Sequence, residues 1–264
     1  MLRPGVAVLT GGGSGIGRET CALLAGRGWR VYELSRRDNP AENVTHIFCD
    51  VTDPASVSAA FRKVAEKEGK LDLLVNNAGG GISGAAEFTA LPEAKNLFDV
   101  NFFGALTCVQ AALPLLRASG GGRIVNMSSV AAALPIPFQA FYSASKAAIN
   151  ALTLALANEL RPFGVSVTAL MPGDASTGFT DARRKDERGD EIYGGRIGKS
   201  VAAMERDERG GMSAEYVAKR VVSVACRRRV KPLYGVGKKY RFFLILAKIL
   251  PARLSNRIVG ALYS

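Results

Sequence analysis

The feature that most constrains the fold is a regular alternation of short apolar runs with longer helical stretches. The runs hold four to six apolar residues without polar alternation, which is typical of parallel strands covered on both faces. Since 48% of the 264 residues are hydrophobic, the chain can bury a large core. We therefore predict an α/β fold, one doubly wound (Rossmann-like) domain over residues 1–264. The predicted strands are 5–11, 29–37, 45–53, 71–79, 122–129 and 164–173.

A glycine-rich loop, TGGGSGIG from Thr10 to Gly17, lies between the first strand and the first helix. Glycines at 11, 15 and 17 permit a tight turn, a close approach of a pyrophosphate to backbone amides, and close packing of helix on strand. A purely structural turn is the alternative. The position between strand and helix favours dinucleotide binding.

Tyr142 and Lys146 lie one helical turn apart at the start of an apolar segment, so they share a face of the helix. Taken alone, the pair is also compatible with two side chains whose polar ends reach water.

His46 is the single histidine, which excludes Ser-His-Asp hydrolysis and histidine-rich metal centres. Four scattered cysteines favour a reducing cytoplasm and no metal site, and the N-terminus does not resemble a signal peptide.

Several motifs together resemble the short-chain dehydrogenase/reductase family over residues 5 to about 178. They are TGGGSGIG, CDV at 49–51, NNAG at 76–79, VN at 100–101, SS at 128–129, YSASK at 142–146 and PGDAST at 172–177. The resemblance implies an oxidoreductase with Tyr142 as general acid/base, supported by Lys146, Ser129 and Asn101. Lys146 would favour the phenolate, and Asn101 would support a proton path through a water. Asn101 could instead be a helix-interior amide bonded to backbone, and spacing selects Ser129 over Ser128.

The resemblance also implies a set of cofactor contacts. Ser35, Arg36 and Arg37 end the second strand where NAD-preferring relatives place an acid, so a 2′-phosphate and NADP(H) are favoured. NAD(H) is the alternative, with Glu33 as the counter-candidate for the ribose. Ser14 departs from the basic residue of some NADP-binding relatives. The full set is Thr10, Gly11, Ser14, Gly15, Ile16, Gly17, Ser35, Arg36, Arg37, Asp50, Val51, Asn77, Ala78, Gly79, Tyr142, Lys146, Pro172, Gly173 and Thr177.

Residues 178–212 are predicted to form a helical lid, and the substrate would contact Ser129, Tyr142 and Phe179. An apolar ketone or aldehyde and its alcohol, of steroid, retinoid or lipid type, is the expected substrate. Further pocket-facing candidates in the lid are Ile192, Tyr193, Val201 and Met204. The alternatives are a catalytically weak dinucleotide sensor, an NAD(H)-preferring alcohol dehydrogenase, or an epimerase or dehydratase of the family.

The net charge of +12 is concentrated in a basic tail, residues 227–264, with ten Lys/Arg and no Asp or Glu. This placement does not indicate a nucleic-acid groove. The apolar run 242–250 is too short to span a bilayer, so the tail would either lie on an anionic membrane or pack on the pocket or a partner subunit.

Segment 145–161 is apolar nearly all round, and its alanines (Ala147, Ala148, Ala151, Ala155, Ala157) predict a homodimer or homotetramer.

Overall fold

Seven parallel strands form the central sheet in the computed structural model, which describes residues 3–263. The strands of this sheet and of two small two-stranded sheets are, in chain order, β1 Val6–Thr10, β2 Arg30–Ser35, β3 Val44–Phe48, β4 Leu73–Asn76, β5 Ile82–Ser83, β6 Gly122–Met127, β7 Val165–Pro172, β8 Ala175–Ser176, β9 Arg184–Lys185, β10 Met212–Ser213 and β11 Leu233–Val236. The small sheets pair β5 with β9 and β8 with β10. The order across the sheet is β11-β7-β6-β4-β1-β2-β3. The predicted doubly wound α/β fold is confirmed.

Helices flank the sheet on both faces. They are α1 Gly15–Ala25, α2 Pro54–Glu68, α3 Leu91–Phe98, α4 Gly104–Ala118, α5 Ala140–Glu159, α6 Phe179–Ala182, α7 Arg196–Arg209, α8 Ala214–Ala225, α9 Lys238–Ile249 and α10 Ala252–Leu262. A π-helical turn, Asp99–Phe103, joins α3 to α4. Local signals explain the ends of α2, because the Asp53 side chain accepts from Ala55 N and Gly69 ends the helix at a φ of 65°.

Side chains of successive strand residues enter two different cores. In β1, Val6 and Val8 pack with α2, α4 and α5, whereas Ala7 and Leu9 pack with α1 and α8. Both faces of the strand are thus buried, as the continuous apolar runs predicted. Strands β2 and β4 lie on opposite sides of β1, so the topological switch point of the sheet is at β1. A crevice opens beyond the carboxyl ends of these strands.

The prediction of six strands was incomplete, because β11 is the seventh. Residues Leu233–Val236 pair with Ala169–Pro172 of β7 and extend the sheet at its edge. These residues lie within the segment that was interpreted as a basic tail. The tail therefore begins as part of the sheet, and only α9 and α10 continue beyond it.

One helical run, Leu91–Ala118, has the length and composition to cross a membrane: it has 28 residues and contains an 18-residue window with a mean hydropathy of 1.3. Core helices have the same composition, so the run is weak evidence of a span. Its residues Cys108, Val109, Ala112 and Leu116 are buried against the central sheet. The run is accounted for by packing in the core.

Candidate active site

A cleft of about 1420 Å³ opens at the carboxyl ends of the central strands. The structure brings nearly all of the predicted catalytic, cofactor-binding and substrate-contacting residues to its walls. Of these three groups, only Thr10 and Asn101 are not part of the lining. The glycine loop, Ser35–Arg37 and Asn77–Gly79 form one end, while Ser129, Tyr142 and Lys146 lie towards the other.

Tyr142 and Lys146 occupy the first two turns of α5 and point into this cleft. The Lys146 ammonium lies 5.8 Å from the centre of the Tyr142 ring. Lys146 is only 6% exposed, and its Nζ donates to the carbonyl oxygen of Met127 at 2.9 Å. Burial lowers the pKa of Lys146 to about 8, because the charged form loses hydration.

The expected lowering of the Tyr142 pKa does not emerge from this geometry. Burial of the phenol raises the pKa of Tyr142 and outweighs the lowering by the Ser129 hydroxyl. Lys146 directs its ammonium to Met127 O rather than to the phenolic oxygen. Tyr142 is consequently protonated at neutral pH, the state that proton donation requires.

The structure distinguishes the two adjacent serines that follow β6. The Ser128 hydroxyl is buried and donates to the carbonyl oxygen of Lys146 at 3.1 Å. Ser129 precedes a short 3-10 turn, and its Oγ accepts from Ala131 N at 3.1 Å. A hydrogen bond between the Ser129 hydroxyl and the Tyr142 phenol lowers the pKa of Tyr142. Of the two serines, Ser129 is therefore the one whose hydroxyl lies beside the phenol.

Asn101 lies in the π-helical turn and is buried. Its Oδ1 accepts from Gly80 N at 2.8 Å, and its Nδ2 donates to Gly80 O and to Ser145 Oγ. Ser145 Oγ in turn donates to the carbonyl oxygen of Tyr142 at 2.8 Å. This network joins the loop after β4 to α5. The Asn101 amide is bonded to the backbone of Gly80, as expected if its role is structural. Its role in a proton path stays a prediction.

Sequence reasoning missed Ser145, a fully buried residue of α5 that accepts a hydrogen bond from Asn101. Its only signal was its place within YSASK. Thr10 also acts from behind the cleft, since its Oγ1 accepts from the backbone N–H groups of Asn77 and Ala78, both at 3.0 Å. Both residues hold a loop that lines the cleft.

The glycine loop has the shape that a dinucleotide pyrophosphate requires. Gly11 and Gly15 have φ values of 68° and 51°, which favour glycine. A Cβ on Gly17 would lie 2.2 Å from Gly11 O, so no side chain fits there. The N-terminal amides of α1 follow at once, and a helix N-terminus favours an anion. These residues fit the pyrophosphate of a nicotinamide dinucleotide.

The adenosine end of the cleft carries the basic residues predicted there. Arg36 and Arg37 are exposed at the rim, and Arg36 Nη1 lies 3.9 Å from Asp50 Oδ2. Two hydrogen bonds from Thr52, together with Arg36, hold the pKa of Asp50 low against partial burial. Glu33, the counter-candidate for the ribose, is fully buried under Gly12 and bonded to His46. Glu33 therefore does not face the cleft.

Of the lid candidates, Phe179 lines the cleft, with its ring centre 5.7 Å from that of Tyr142. Ile192 is 70% exposed outside the lining, and Tyr193 donates to Glu87. Val201 and Met204 are buried in a separate cluster with Ala85 and Ile197. Those four expectations were wrong. Val201 and Met204 lie on the face of α7 that packs against the body of the fold, and Ile192 and Tyr193 precede α7 and do not line the cleft.

Residues 5–188 match the family model described as short chain dehydrogenase. A 3-ketodihydrosphingosine reductase from Bacteroides thetaiotaomicron is 36% identical over 232 residues, covering 86% of each chain. A probable short-chain type dehydrogenase/reductase, VdlC, from Helicobacter pylori is 35% identical over 253 residues, covering 94% of this chain and 93% of the relative.

A short chain dehydrogenase/reductase from Burkholderia phymatum, solved in complex with NAD, superposes with a TM-score of 0.80 at 27% identity, covering 94% of both chains. Fold and sequence agree in these comparisons. The chain belongs to the short-chain dehydrogenase family and is an oxidoreductase that acts on CH–OH groups or carbonyls with a nicotinamide cofactor.

Proposed function

We propose that the protein is an NADP(H)-dependent oxidoreductase that interconverts an apolar ketone or aldehyde with its alcohol. The observation that carries this proposal is the convergence of Tyr142, Ser129 and Lys146 on one cleft, next to a glycine loop shaped for a dinucleotide. The relative from Bacteroides thetaiotaomicron is named a 3-ketodihydrosphingosine reductase, and ketone reduction is the same type of reaction.

In the proposed reaction, a bound nicotinamide cofactor supplies or takes up the hydride. The Tyr142 hydroxyl donates its proton to the carbonyl oxygen during reduction and takes it back during oxidation. Ser129 holds that oxygen and polarises it with its hydroxyl. Lys146, whose pKa of about 8 lets it change charge near neutrality, returns a proton to the phenol, and Asn101 supports the path to solvent.

Arg36 and Arg37 support NADP(H) over NAD(H). Both side chains are exposed at the rim of the adenosine end, where an arginine guanidinium can pair with a 2′-phosphate. The competing acid, Glu33, accepts from Ser35 and pairs with His46 inside the fold. No carboxylate of β2 is therefore free to accept from a ribose 2′-hydroxyl.

The far end of the cleft supports an apolar substrate. Its walls include aliphatic and aromatic side chains from the loop after β6, from α6 and from the two C-terminal helices, such as Leu134, Ile136, Phe179, Phe243 and Val259. Charged side chains such as Asp181, Arg184 and Asp207 line the cleft as well. We place the enzyme in the cytoplasm, in keeping with four cysteines that are all free and buried.

The test is a turnover screen with NADPH. We expect reduction of apolar ketones of steroid, retinoid and long-chain type, with 3-ketodihydrosphingosine among them, and little turnover of small polar ketones. Oxidation of NADPH is followed by its absorbance, and the alcohol is identified by mass spectrometry. Cofactor binding without turnover across the whole panel would favour a dinucleotide sensor instead.

We further propose that the chain forms a homo-oligomer through α5. Its outer face is a stripe of small exposed residues, Ala144, Ala151 and Ala155, beside Leu154, which is 44% exposed. Small residues allow two helices to approach closely across a symmetry axis. We expect light scattering at micromolar concentration to give a dimer or tetramer mass, and Ala151→Arg with Ala155→Arg to lower that mass. A monomer mass for the unmodified chain would contradict the proposal.

A further inference from the structure

The two C-terminal helices expose apolar stripes that no described residue covers. Six of the twelve exposed large apolar side chains among residues 3–263 lie in α9 and α10. They are Phe242, Ile245 and Ile249 in α9, and Leu254, Ile258 and Leu262 in α10, each between 46% and 72% exposed. Their spacings of three and four residues put each set on one side of its helix. The outer face of a surface helix is ordinarily polar, so these stripes indicate an interaction surface.

The charged side chains on these two helices are all of one sign. Lys238, Arg241, Lys248, Arg253 and Arg257 are exposed on the same two helices, and residues 227–264 contain no Asp or Glu. None of these five cations forms an ion pair with another residue within 3–263. A second copy docked on this face would bring like charges together, which opposes association. An apolar stripe flanked by unpaired cations instead fits an anionic lipid surface.

The lengths of the helices determine how they can meet a bilayer. Helix α9 has 12 residues and α10 has 11, with Pro251 between them. A transmembrane helix needs about 20 apolar residues, so neither helix can span. Each can lie in the plane of the membrane with its stripe in the boundary between headgroups and acyl chains.

The inner faces of the same helices form the wall of the cleft. Tyr240 packs its ring on Gly173, and its hydroxyl donates to Asp174 Oδ2 at 2.5 Å. Phe243 of α9 and Val259 of α10 line the cleft, and Leu262 both lines the cleft and is 60% exposed. Leu262 therefore places one end of the α10 stripe at the cleft.

We infer that α9 and α10 dock on the surface of an anionic membrane and turn the mouth of the cleft towards the lipid. Docking itself follows from the stripes and the cations. The further step, entry of an apolar substrate from the membrane, rests on the proposed function. The cations attract the anionic headgroups at about 1 kcal/mol each, and the stripes add apolar burial.

Point variants give a cleaner test than truncation, because a chain ending after Pro232 would lose β11 from the sheet and Leu244 from the core. Phe242→Glu with Ile249→Glu places two acids in the stripe, at side chains that are 58% and 72% exposed. The matched control is Phe48→Glu with Ile192→Glu, at side chains that are 61% and 70% exposed elsewhere on the molecule. None of these four residues lines the cleft.

The measurement is sedimentation of the full chain with vesicles, without substrate or cofactor. We expect the unmodified chain and the control to pellet with vesicles of phosphatidylcholine and phosphatidylglycerol at low salt, to be released by salt, and to stay in solution with pure phosphatidylcholine. The stripe variant should lose at least about tenfold in vesicle affinity, since each added acid also opposes the anionic surface. Circular dichroism and the midpoint of thermal unfolding check that the variants are folded.

Three results would overturn the inference: an unmodified chain that never pellets, a stripe variant that binds like the unmodified chain, or a control that loses as much affinity as the stripe variant. The lipid-entry step has a separate readout. With a ketone partitioned into vesicles, the stripe variant should raise KM and leave kcat unchanged. Because sedimentation needs no turnover, failure of the proposed reaction would leave the docking result intact.

Discussion

Replacing Tyr142 by phenylalanine should lower turnover by roughly 10² or more, because the variant lacks only the proton donor. The ring would keep its place beside Phe179, whose ring centre is 5.7 Å away, and α5 would keep its packing. Lys146 should likewise keep its bond to Met127 O, since that contact does not involve the phenol. We therefore expect cofactor affinity and thermal stability close to those of the unmodified chain.

The measurement compares kcat of both proteins on the ketone found by the screen, with cofactor affinity taken from fluorescence titration. Tyr234→Phe is the matched control, because its hydroxyl accepts from Lys231 N outside the cleft. The control should keep its activity. Near-normal turnover by the Tyr142 variant would remove Tyr142 from the role of general acid.

Replacing Arg36 and Arg37 together by alanine should erase or reverse a preference for NADPH over NADH. A charge-assisted contact to a phosphate contributes about 1.5–3 kcal/mol, so the ratio of kcat/KM for the two cofactors should fall by about one to two decades. The change should come from NADPH alone, because the rim arginines contribute little to binding a cofactor that lacks the 2′-phosphate. Loss of Arg36 also frees Asp50 from its only ion pair among the described residues.

The measurement is kcat/KM with each cofactor at a fixed concentration of the same ketone. Arg62→Ala serves as the control, because Arg62 is exposed on α2 and does not line the cleft. Its cofactor ratio should match that of the unmodified chain. Equal use of NADPH and NADH by the unmodified chain would refute the preference at the outset.

The parts of the fold that follow from local patterns could be predicted from the sequence. Strand β1 is apolar from Val6 to Leu9, the glycine loop follows it at once, and Tyr142 and Lys146 share a helical face. Such features depend on residues within one or two turns of each other. The parallel sheet and the Tyr142–Lys146 pair therefore needed no knowledge of distant contacts.

Strand β11 shows where local patterns stop. Its four residues include Gly235 and follow a basic stretch, so their own propensity for a strand is weak. They become a strand because Leu233–Val236 pair with β7, more than sixty residues earlier in the chain. Glu33 is a similar case, since its cross-strand register with His46 and its place under Gly12 decide that it faces the interior.

The sequence by itself determined the fold class, through its periodicity, and marked the glycine loop and the Tyr142–Lys146 pair as candidate sites, through their place among the motifs of the family. Only the tertiary structure decided that Glu33 faces the interior, and that Val201 and Met204 face away from the cleft. It also decided that α9 and α10 wall the cleft on one side and expose apolar stripes on the other. Each of these depends on contacts between residues far apart in sequence, which packing of the whole chain selects.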